Sequence, residues 1–402
     1  MNKVSKVSTV LLLLLFVYSC KKDQTPPMPG PISGADNLCP GDSGAVYSIE
    51  PVAGVPYYLW TVPEDSKVIA GQGTTSVTIK FGKNSGSICV KSVNDNHISD
   101  ASCKHITQGG VYGVWCREVD FKPGYRTSAV GFSIANKGYI ATGADRNGVK
   151  YADLWEFDPQ SNSWTQKSNL PGGERFDAIA FTIGGLGYVG LGYNTIIYYK
   201  DFWEYNPQSN FWTRKADFIE GREFAFAFAT QSKGYVGSGR DESFTFPKDF
   251  WEYDPQNDSW TPRDSVVSRQ GAVAFSIGNK GYVGLGASGE NGIAQNDFWE
   301  YDPSIDAWAS KANFPGTPRF ASVSFSIGGK GYVACGSSGE TSFNDFYEYN
   351  PLTNTWVQRV DFAGSPRAYS AAFTIGNNAY IGTGSQGNNG GTALSDFWVF
   401  GQ

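Results

Sequence analysis

A seven-residue segment, Asp-Phe-Trp-Glu-Tyr-Asp-Pro or a near variant of it, begins at Asp153, Asp201, Asp249, Asp297 and Asp345, 48 residues apart each time, and a shortened copy begins at Asp396. A Trp follows each complete copy, at Trp164, Trp212, Trp260, Trp308 and Trp356. A Tyr-centred apolar run precedes each copy, at Tyr139, Tyr188, Tyr235, Tyr282, Tyr332 and Tyr380. A unit of about 50 residues cannot bury its apolar face alone, so successive units must stack on one another. Each unit parses into four short strands. The first starts after an Arg and ends near a Phe: Phe132, Phe181, Phe228, Phe275, Phe325 and Phe373. The Tyr run is the second strand, and Phe-Trp-Glu-Tyr, which alternates across two faces, is the third. Asp-Pro-x-x-Asn supplies a turn, because Pro presets φ and Asn tolerates the left-handed region. The fourth strand opens at the lone Trp.

The two ends of the array account for each other. The last unit stops after its third strand. Residues 114–119 look like a fourth strand with no unit of their own, and Trp115 lies 49 residues before Trp164. Six units closed by that N-terminal strand leave no exposed sheet edge. The pattern resembles the kelch repeat, with its usual Gly-Gly reduced to one Gly, as at Gly192 or Gly286. The resemblance covers residues 112–402 and implies a six-bladed β-propeller.

Residues 34–108 read as a small β-sandwich. Candidate strands are Ala45–Ile49, Tyr57–Val62, Ser76–Phe81, Ser87–Val93 and Cys103–Thr107, with Trp60 as central core aromatic. The run Tyr58-Leu59-Trp60-Thr61-Val62-Pro63, with Gly71-Gln72-Gly73-Thr74 and Val77-Thr78-Ile79 after it, resembles the PKD-like (Ig-like) domains of secreted Bacteroidetes proteins. That resemblance implies a spacer or adhesive module. The expected fold class is therefore all-β: a six-bladed kelch-type β-propeller preceded by a small Ig-like/PKD-like β-sandwich.

Residues 1–19 read as a signal peptide, with Lys3 and Lys6 before the apolar run Val10 to Val17, which is too short to span a bilayer. Val17-Tyr18-Ser19-Cys20 resembles a bacterial lipobox. It implies lipidation of Cys20, a linker over 20–33, and a membrane contact through acyl chains alone. The expected location is the outer membrane or cell surface, with the periplasmic face as the alternative, and the expected state is a monomer. Export permits disulfides, and a Cys39–Cys103 bridge tying the ends of the first domain is expected. The net charge of −6, with 17% charged residues, offers no basic stripe for nucleic acid.

The sequence holds only two histidines, His97 and His105, and neither is in the repeats. Copper chemistry of the galactose-oxidase kind, which needs imidazole ligands, and Ser-His-Asp hydrolysis are thereby excluded from the propeller. The six cysteines contain no CxxC pair, so no metal or cofactor is expected. Cys335 reads as inert packing. Trp155, Trp203, Trp251 and Trp299 recur in the third strand, which favours core over a sugar platform. Arg126, Arg175, Arg222, Arg269, Arg319 and Arg367 begin the first strand of every unit. One reading makes them a ring around the channel that binds an anion through forked hydrogen bonds. The other makes them structural links to the six recurrent Asp residues, and equal presence in every unit favours it.

The loops between second and third strands differ from unit to unit. They carry the candidate ligand residues Asp145, Arg146, Tyr193, Asn194, Arg240, Glu242, Glu290, Asn291, Glu340, Gln386 and Asn388. The expected function is a lipid-anchored extracytoplasmic module that binds a protein or glycan on this loop face, with no catalytic residue. The alternative is a carbohydrate-active enzyme. Bacterial six-bladed kelch propellers include a sialic-acid mutarotase, and that reading needs an Arg/Glu channel site such as Arg240 with Glu242. A third class is a structural component of the cell envelope.

Overall fold

A computed structural model describes residues 25–35, 37–39, 43–82, 85–95, 97–108, 113–265, 267–288, 292–387 and 391–401. Cys20, Glu290, Asn291 and Asn388 lie outside them. The chain divides into two compact units, the first built from residues 1–36 and 41–107 and the second from 37–40 and 108–402.

The first unit is a two-sheet sandwich. Ser43–Ser48, Ser76–Lys80 and Lys67–Ala70 form one sheet, with Ser76–Lys80 central. In the other, Gly86–Asn94 pairs with Tyr57–Thr61, His97–Ile98 and Ser102–Gln108. Alternation does the folding work: Val77, Ile79, Ile88 and Val90 point inward and are fully or almost fully buried. Trp60 is buried among them, and its indole donates to the Thr74 carbonyl at 2.8 Å. The strand Lys67–Ala70, short and mostly exposed, carries no alternation that sequence could show.

The second unit consists of six four-stranded antiparallel sheets. In blade one the order from the axis outward is Val130–Ile134, Lys137–Ala141, Leu154–Asp158, Ser163–Lys167. The six first strands adjoin one another around the axis. Their small residues, such as Ala180 and Ala274, allow that approach. The sixth sheet takes its outer strand from the other end of the chain: Trp115–Arg117 pairs with Phe397–Gly401, Trp115 opposite Phe400 and Arg117 opposite Trp398.

Neighbouring blades interlock through the repeated aromatics. In five blades the Phe that starts the third strand, replaced by Leu154 in blade one, inserts between the Tyr or Phe three places into the next blade's third strand and that blade's outer Trp. Phe298 lies 4.9 Å from Tyr349 and 5.0 Å from Trp356, and Phe346 meets Phe400 and Trp115 in the same way across the closure. Such pairs contribute about 0.5–1.5 kcal/mol each beyond area burial, repeated around the ring. The recurrent Tyr and Glu are also partners, with the Tyr139 hydroxyl donating to Glu156 at 2.6 Å and Tyr282 to Glu300 at 2.6 Å.

Two disulfides correct the expected Cys39–Cys103 bridge. Cys89 and Cys103 face each other on paired strands and bond there. Cys39 bonds Cys116, on the closing strand. Cys39 and Cys103 are each nearer in space to a different sulfur than sequence order suggests.

Candidate functional site

The six arginines are buried, 0–2% exposed, and each clamps the recurrent Asp of its own blade. Arg126 donates to the two oxygens of Asp153 at 2.7 and 2.8 Å, and Arg367 to those of Asp396 at 2.7 and 2.7 Å. A third donation reaches the carbonyl at the end of the second strand, from Arg126 to Thr142 at 2.6 Å and from Arg319 to Cys335 at 3.1 Å. The backbone of the same arginines serves the preceding blade. Gly143 donates to the Arg175 carbonyl at 2.8 Å, and Gly384 to that of Arg126 at 2.7 Å. A Cβ on Gly143, at φ +91°, would lie 2.7 Å from the Thr127 oxygen, so that residue must be Gly. Burial alone would raise the Asp396 carboxyl, but Arg367 and Trp398 outweigh it and hold it below the usual range. The recurrent Trp supplies that last bond: Trp155 donates to Asp153 at 2.9 Å. The arginines thus brace their own blades through their Nη donors and link to the preceding blade through their backbone, while Nε of Arg126, Arg222 and Arg269 is buried without a partner. The anion-ring reading is corrected: no guanidinium of the six is free at the mouth.

Two residues after each Arg the chain does something else. Ser128, Asp177, Phe224, Gly271, Ala321 and Tyr369 all adopt left-handed backbone, φ between +51° and +60°. Each N–H donates to the carbonyl of its counterpart one blade back. The cycle runs Ser128 to Tyr369, Tyr369 to Ala321, Ala321 to Gly271, Gly271 to Phe224, Phe224 to Asp177, and Asp177 to Ser128, at 2.9–3.2 Å. These six peptides form a closed hydrogen-bonded collar around the channel mouth. Left-handed backbone costs a non-Gly residue about 1–2 kcal/mol, which the Phe, Tyr and Asp side chains here bear for the sake of their position.

The collar side chains shape the site. A cavity of about 390 Å³ is lined by Ser128, Arg146, Phe176, Phe224, Tyr369 and Ser385, among others, from four blades. It adjoins a smaller one of about 130 Å³ that shares Ser128, Phe224 and Tyr369 and adds Asp177. Phe224 and Tyr369 have ring centroids 6.1 Å apart, and Phe320 meets Tyr369 at 6.3 Å. Asp177 is almost fully buried. Desolvation pushes its carboxyl well above the carboxylate range and outweighs the opposing hydrogen bond of Ser128 and the pull of Arg240, with Glu223 adding to the rise. Glu223, 1% exposed, is raised by the same burial. Arg240 donates to it through Nε at 2.8 Å and also through Nη2, and Tyr198 lies beside the pair. Two larger clefts, of about 510 and 530 Å³, lie away from the mouth, beside Trp299 and Tyr199.

The loop candidates divide. Arg146 and Lys150 reach the rim of the mouth cavity, and Arg146 also stacks over Tyr125 at 4.9 Å. Asp145 lines the cavity but its oxygens are occupied. They accept Asn147 N–H at 2.8 Å, Val149 N–H at 3.0 Å and the Tyr151 hydroxyl at 3.1 Å. Asn194 does the same for Ile196 and Ile197, so both residues build turns. Tyr193 stacks on Tyr198 at 4.3 Å and edges Phe176 at 5.7 Å. Arg240 is paired with Glu223, which corrects the expected Arg240–Glu242 pair; Glu242 is exposed and lines the cleft beside Tyr199. Glu340 and Gln386 are exposed at loop tips. The free Cys335 is buried, and burial pushes its thiol up to about 12, too high for a nucleophile. Sequence reasoning missed Phe176, Asp177, Glu223, Phe224 and Tyr369. The signal was present: these positions follow an invariant Arg, yet the second after it differs in all six repeats and the first repeats only its Phe, at Phe176 and Phe320.

Two family models match the chain, a PKD-like domain over residues 25–106 and a kelch motif over residues 318–359. No curated protein matches it in sequence. Among solved structures it is similar to that of YjhT, with a TM-score of 0.59 and 18% identity over 68% of this chain and 94% of that one, a likeness that bears on the fold alone. Taken with the six sheets and their closure, these matches make the chain a kelch-type β-propeller with an N-terminal PKD-like domain.

Proposed function

We propose that the protein is a binding module that takes a protein or glycan ligand at the collar mouth, held outside the cell by a lipid on Cys20. One observation carries the reading: side chains at equivalent positions are alike through the blade walls and unlike at the collar. A rigid ring whose non-repeating collar opens on a cavity with aromatic walls and a polar, cationic rim is suited to recognition. Aromatic walls suit sugar faces or apolar side chains, and Arg146 and Lys150 suit carboxylates at the rim. Glycan-array and pull-down screening tests it, with Tyr369→Ala and Arg146→Ala as variants. Ligands lost by both variants support the mouth; a ligand retained by both places binding elsewhere.

A second reading is favoured by one feature. Asp177 and Glu223 are neighbouring buried carboxyls, both raised, beside Arg240. A carboxyl that stays protonated can give its proton to a sugar ring oxygen while a second group takes the anomeric hydroxyl proton. The bond between the anomeric carbon and the ring oxygen, C2–O6 in sialic acid, then opens and recloses on either face with no net redox change. This is sugar mutarotation, and sialic acid is the first substrate to try. Exchange of its anomers by NMR, faster with protein and lost in Asp177→Asn, supports the enzyme; exchange at the uncatalysed rate with excess protein sinks it.

A further inference from the structure

A turn in blade one recurs in blade three with a different residue at its left-handed position. In blade one the Asp145 N–H donates to the Val149 carbonyl at 2.9 Å, and Gly148 N–H donates back to the Asp145 carbonyl at 3.1 Å. Asp145 Oδ1 accepts from the backbone of Asn147 and Val149. In blade three Asp241 makes the same bonds, to the Thr245 carbonyl at 3.1 Å, from Phe244 N–H at 3.0 Å, and onto Oδ1 from Ser243 and Thr245. The fourth residue is left-handed in both, Gly148 at φ +77° and Phe244 at φ +59°. Gly adopts that backbone without steric cost, whereas Phe there costs about 1–2 kcal/mol. Burial would offset that cost, but Phe244 has little of it. Its ring leans on Tyr198 and on the Arg240 guanidinium, and the residue is still 62% exposed. Blade one shows that the turn itself does not need Phe. A strained residue held in water points to a role outside the turn.

Phe244 has apolar company. Ile196 is 84% exposed, and Ile197 and Ile219 are about half exposed. The first two ride on a braced hairpin: Asn194 Oδ1 accepts the N–H groups of both Ile196 and Ile197, and Tyr193 stacks on Tyr198. Ile197, Tyr198 and Ile219 line the cleft of about 530 Å³ beside Tyr199. Large apolar side chains gathered on an exposed face mark an interaction surface.

Charge selects the occupant. Glu220 and Glu242 line the same cleft, with Lys200 as its one cation outside an ion pair among the described residues. The other two acids of the lining are taken, Asp201 by Arg175 and Asp217 by Arg214. Glu220 has only a 3.6 Å contact with Arg222, which Asp249 already clamps. Glu242 stands where the blade-one turn carries Arg146, so charge reverses between the two turns as the exposed ring appears.

We infer that this flank of blades two and three docks a protein partner through an extended peptide segment in which a Lys or Arg stands between apolar side chains. The cationic head enters the cleft beside Glu220 and Glu242, and its neighbours pack on Ile197, Ile219 and Phe244. Burial of the Phe244 ring on docking offsets the strain of its turn. Aliphatic side chains offer a glycan neither stacking nor hydrogen bonds. The proposal does not depend on the mouth reading.

The test is selection of phage-displayed random dodecapeptides on the full chain, with soluble Phe244→Gly chain as competitor, then fluorescence polarisation on the enriched peptides. Enriched peptides are expected to carry a Lys or Arg flanked by apolar residues. Phe244→Gly gives blade three the residue of blade one and relieves its backbone. The melting temperature is expected to stay or rise while affinity falls at least about tenfold. Glu242→Arg, again the blade-one residue, is expected to weaken binding and its dependence on salt, while Tyr369→Ala leaves peptide binding intact. Enriched peptides without a basic residue overturn the site, as do peptides that bind Phe244→Gly equally well. So does an empty selection, or binding that is lost with Tyr369→Ala. A dimer in sedimentation velocity that Phe244→Gly dissolves would give the face to a second copy of the chain and end the peptide proposal.

Discussion

The middle of the six innermost strands and the collar that precedes them are a controlled comparison within one molecule. In mid-strand the chain places a Phe in every blade, from Phe132 to Phe373, all 3–5% exposed. At the collar end it places Ser, Asp, Phe, Gly, Ala and Tyr on one repeated backbone conformation. Identical backbone with identical side chains is what packing against a neighbouring blade requires. Identical backbone with unlike side chains means that the ring is held by peptide groups, leaving side chains free to serve a ligand. Repetition marks scaffold here, and its local failure marks the site proposed for a ligand.

The comparison can be broken first at the scaffold. Arg175→Ala leaves Asp201 buried without its cation, and removing one partner of a buried pair costs about 3–5 kcal/mol. The same change at Arg269, whose clamp has one prong, is expected to cost distinctly less; equal urea midpoints for the two variants would remove the distinction between one prong and two. Next in size is closure. The Cys39–Cys116 bridge spans 77 residues, and Cys116→Ser is expected to lower propeller stability by about 2–4 kcal/mol, read as a drop in the denaturant midpoint.

The collar changes are smaller and are expected to act on pH response and on ligand. Asp177 is raised above its ordinary 3.8 in the folded state, so between that value and its higher folded value the native protein binds the extra proton. Its contribution is present at low pH and is lost as pH climbs through that window. Asp177→Asn should therefore flatten the fall in stability above pH 3.8, and a parallel pair of pH–stability curves would refute the assignment. Asp396, lowered by Arg367, works with the opposite sign, since its contribution disappears as pH falls below 3.8. Smallest is Ala321→Gly, which gives blade five the collar residue of blade four. Relief of φ +53° is expected to add about 0.5–1 kcal/mol, less than the full left-handed penalty because Gly loses more chain entropy.

The blades were legible because their spacing, turn residues and alternation all repeat, and the orphan strand at Trp115 sits one period before Trp164. The strand Lys67–Ala70 was not, since nothing in four mostly exposed residues distinguishes strand from loop. The cysteine pairing escaped because proximity along the chain misleads where a segment of four residues, 37–40, crosses to the second unit. The collar escaped for a different reason. Attention to the loops, where lengths vary, passed over Asp177, Phe224 and Tyr369, whose variation lies in side chain alone. Glu223 was missed as the partner of Arg240 because the pair forms across two strands 17 residues apart.

The Cys39–Cys116 bond also decides how this chain would carry tension. It makes residues 41–107 a covalent bight, both ends of which are pinned to the propeller unit. A pull from the N-terminal side first peels the segment around Ser33 from its pairing with Ser48, then passes through the sulfurs straight into the closing strand. Most of the PKD-like domain would sit slack beside that line of force. The propeller would meet the load at a strand that is hydrogen-bonded along one edge and bolted at its centre.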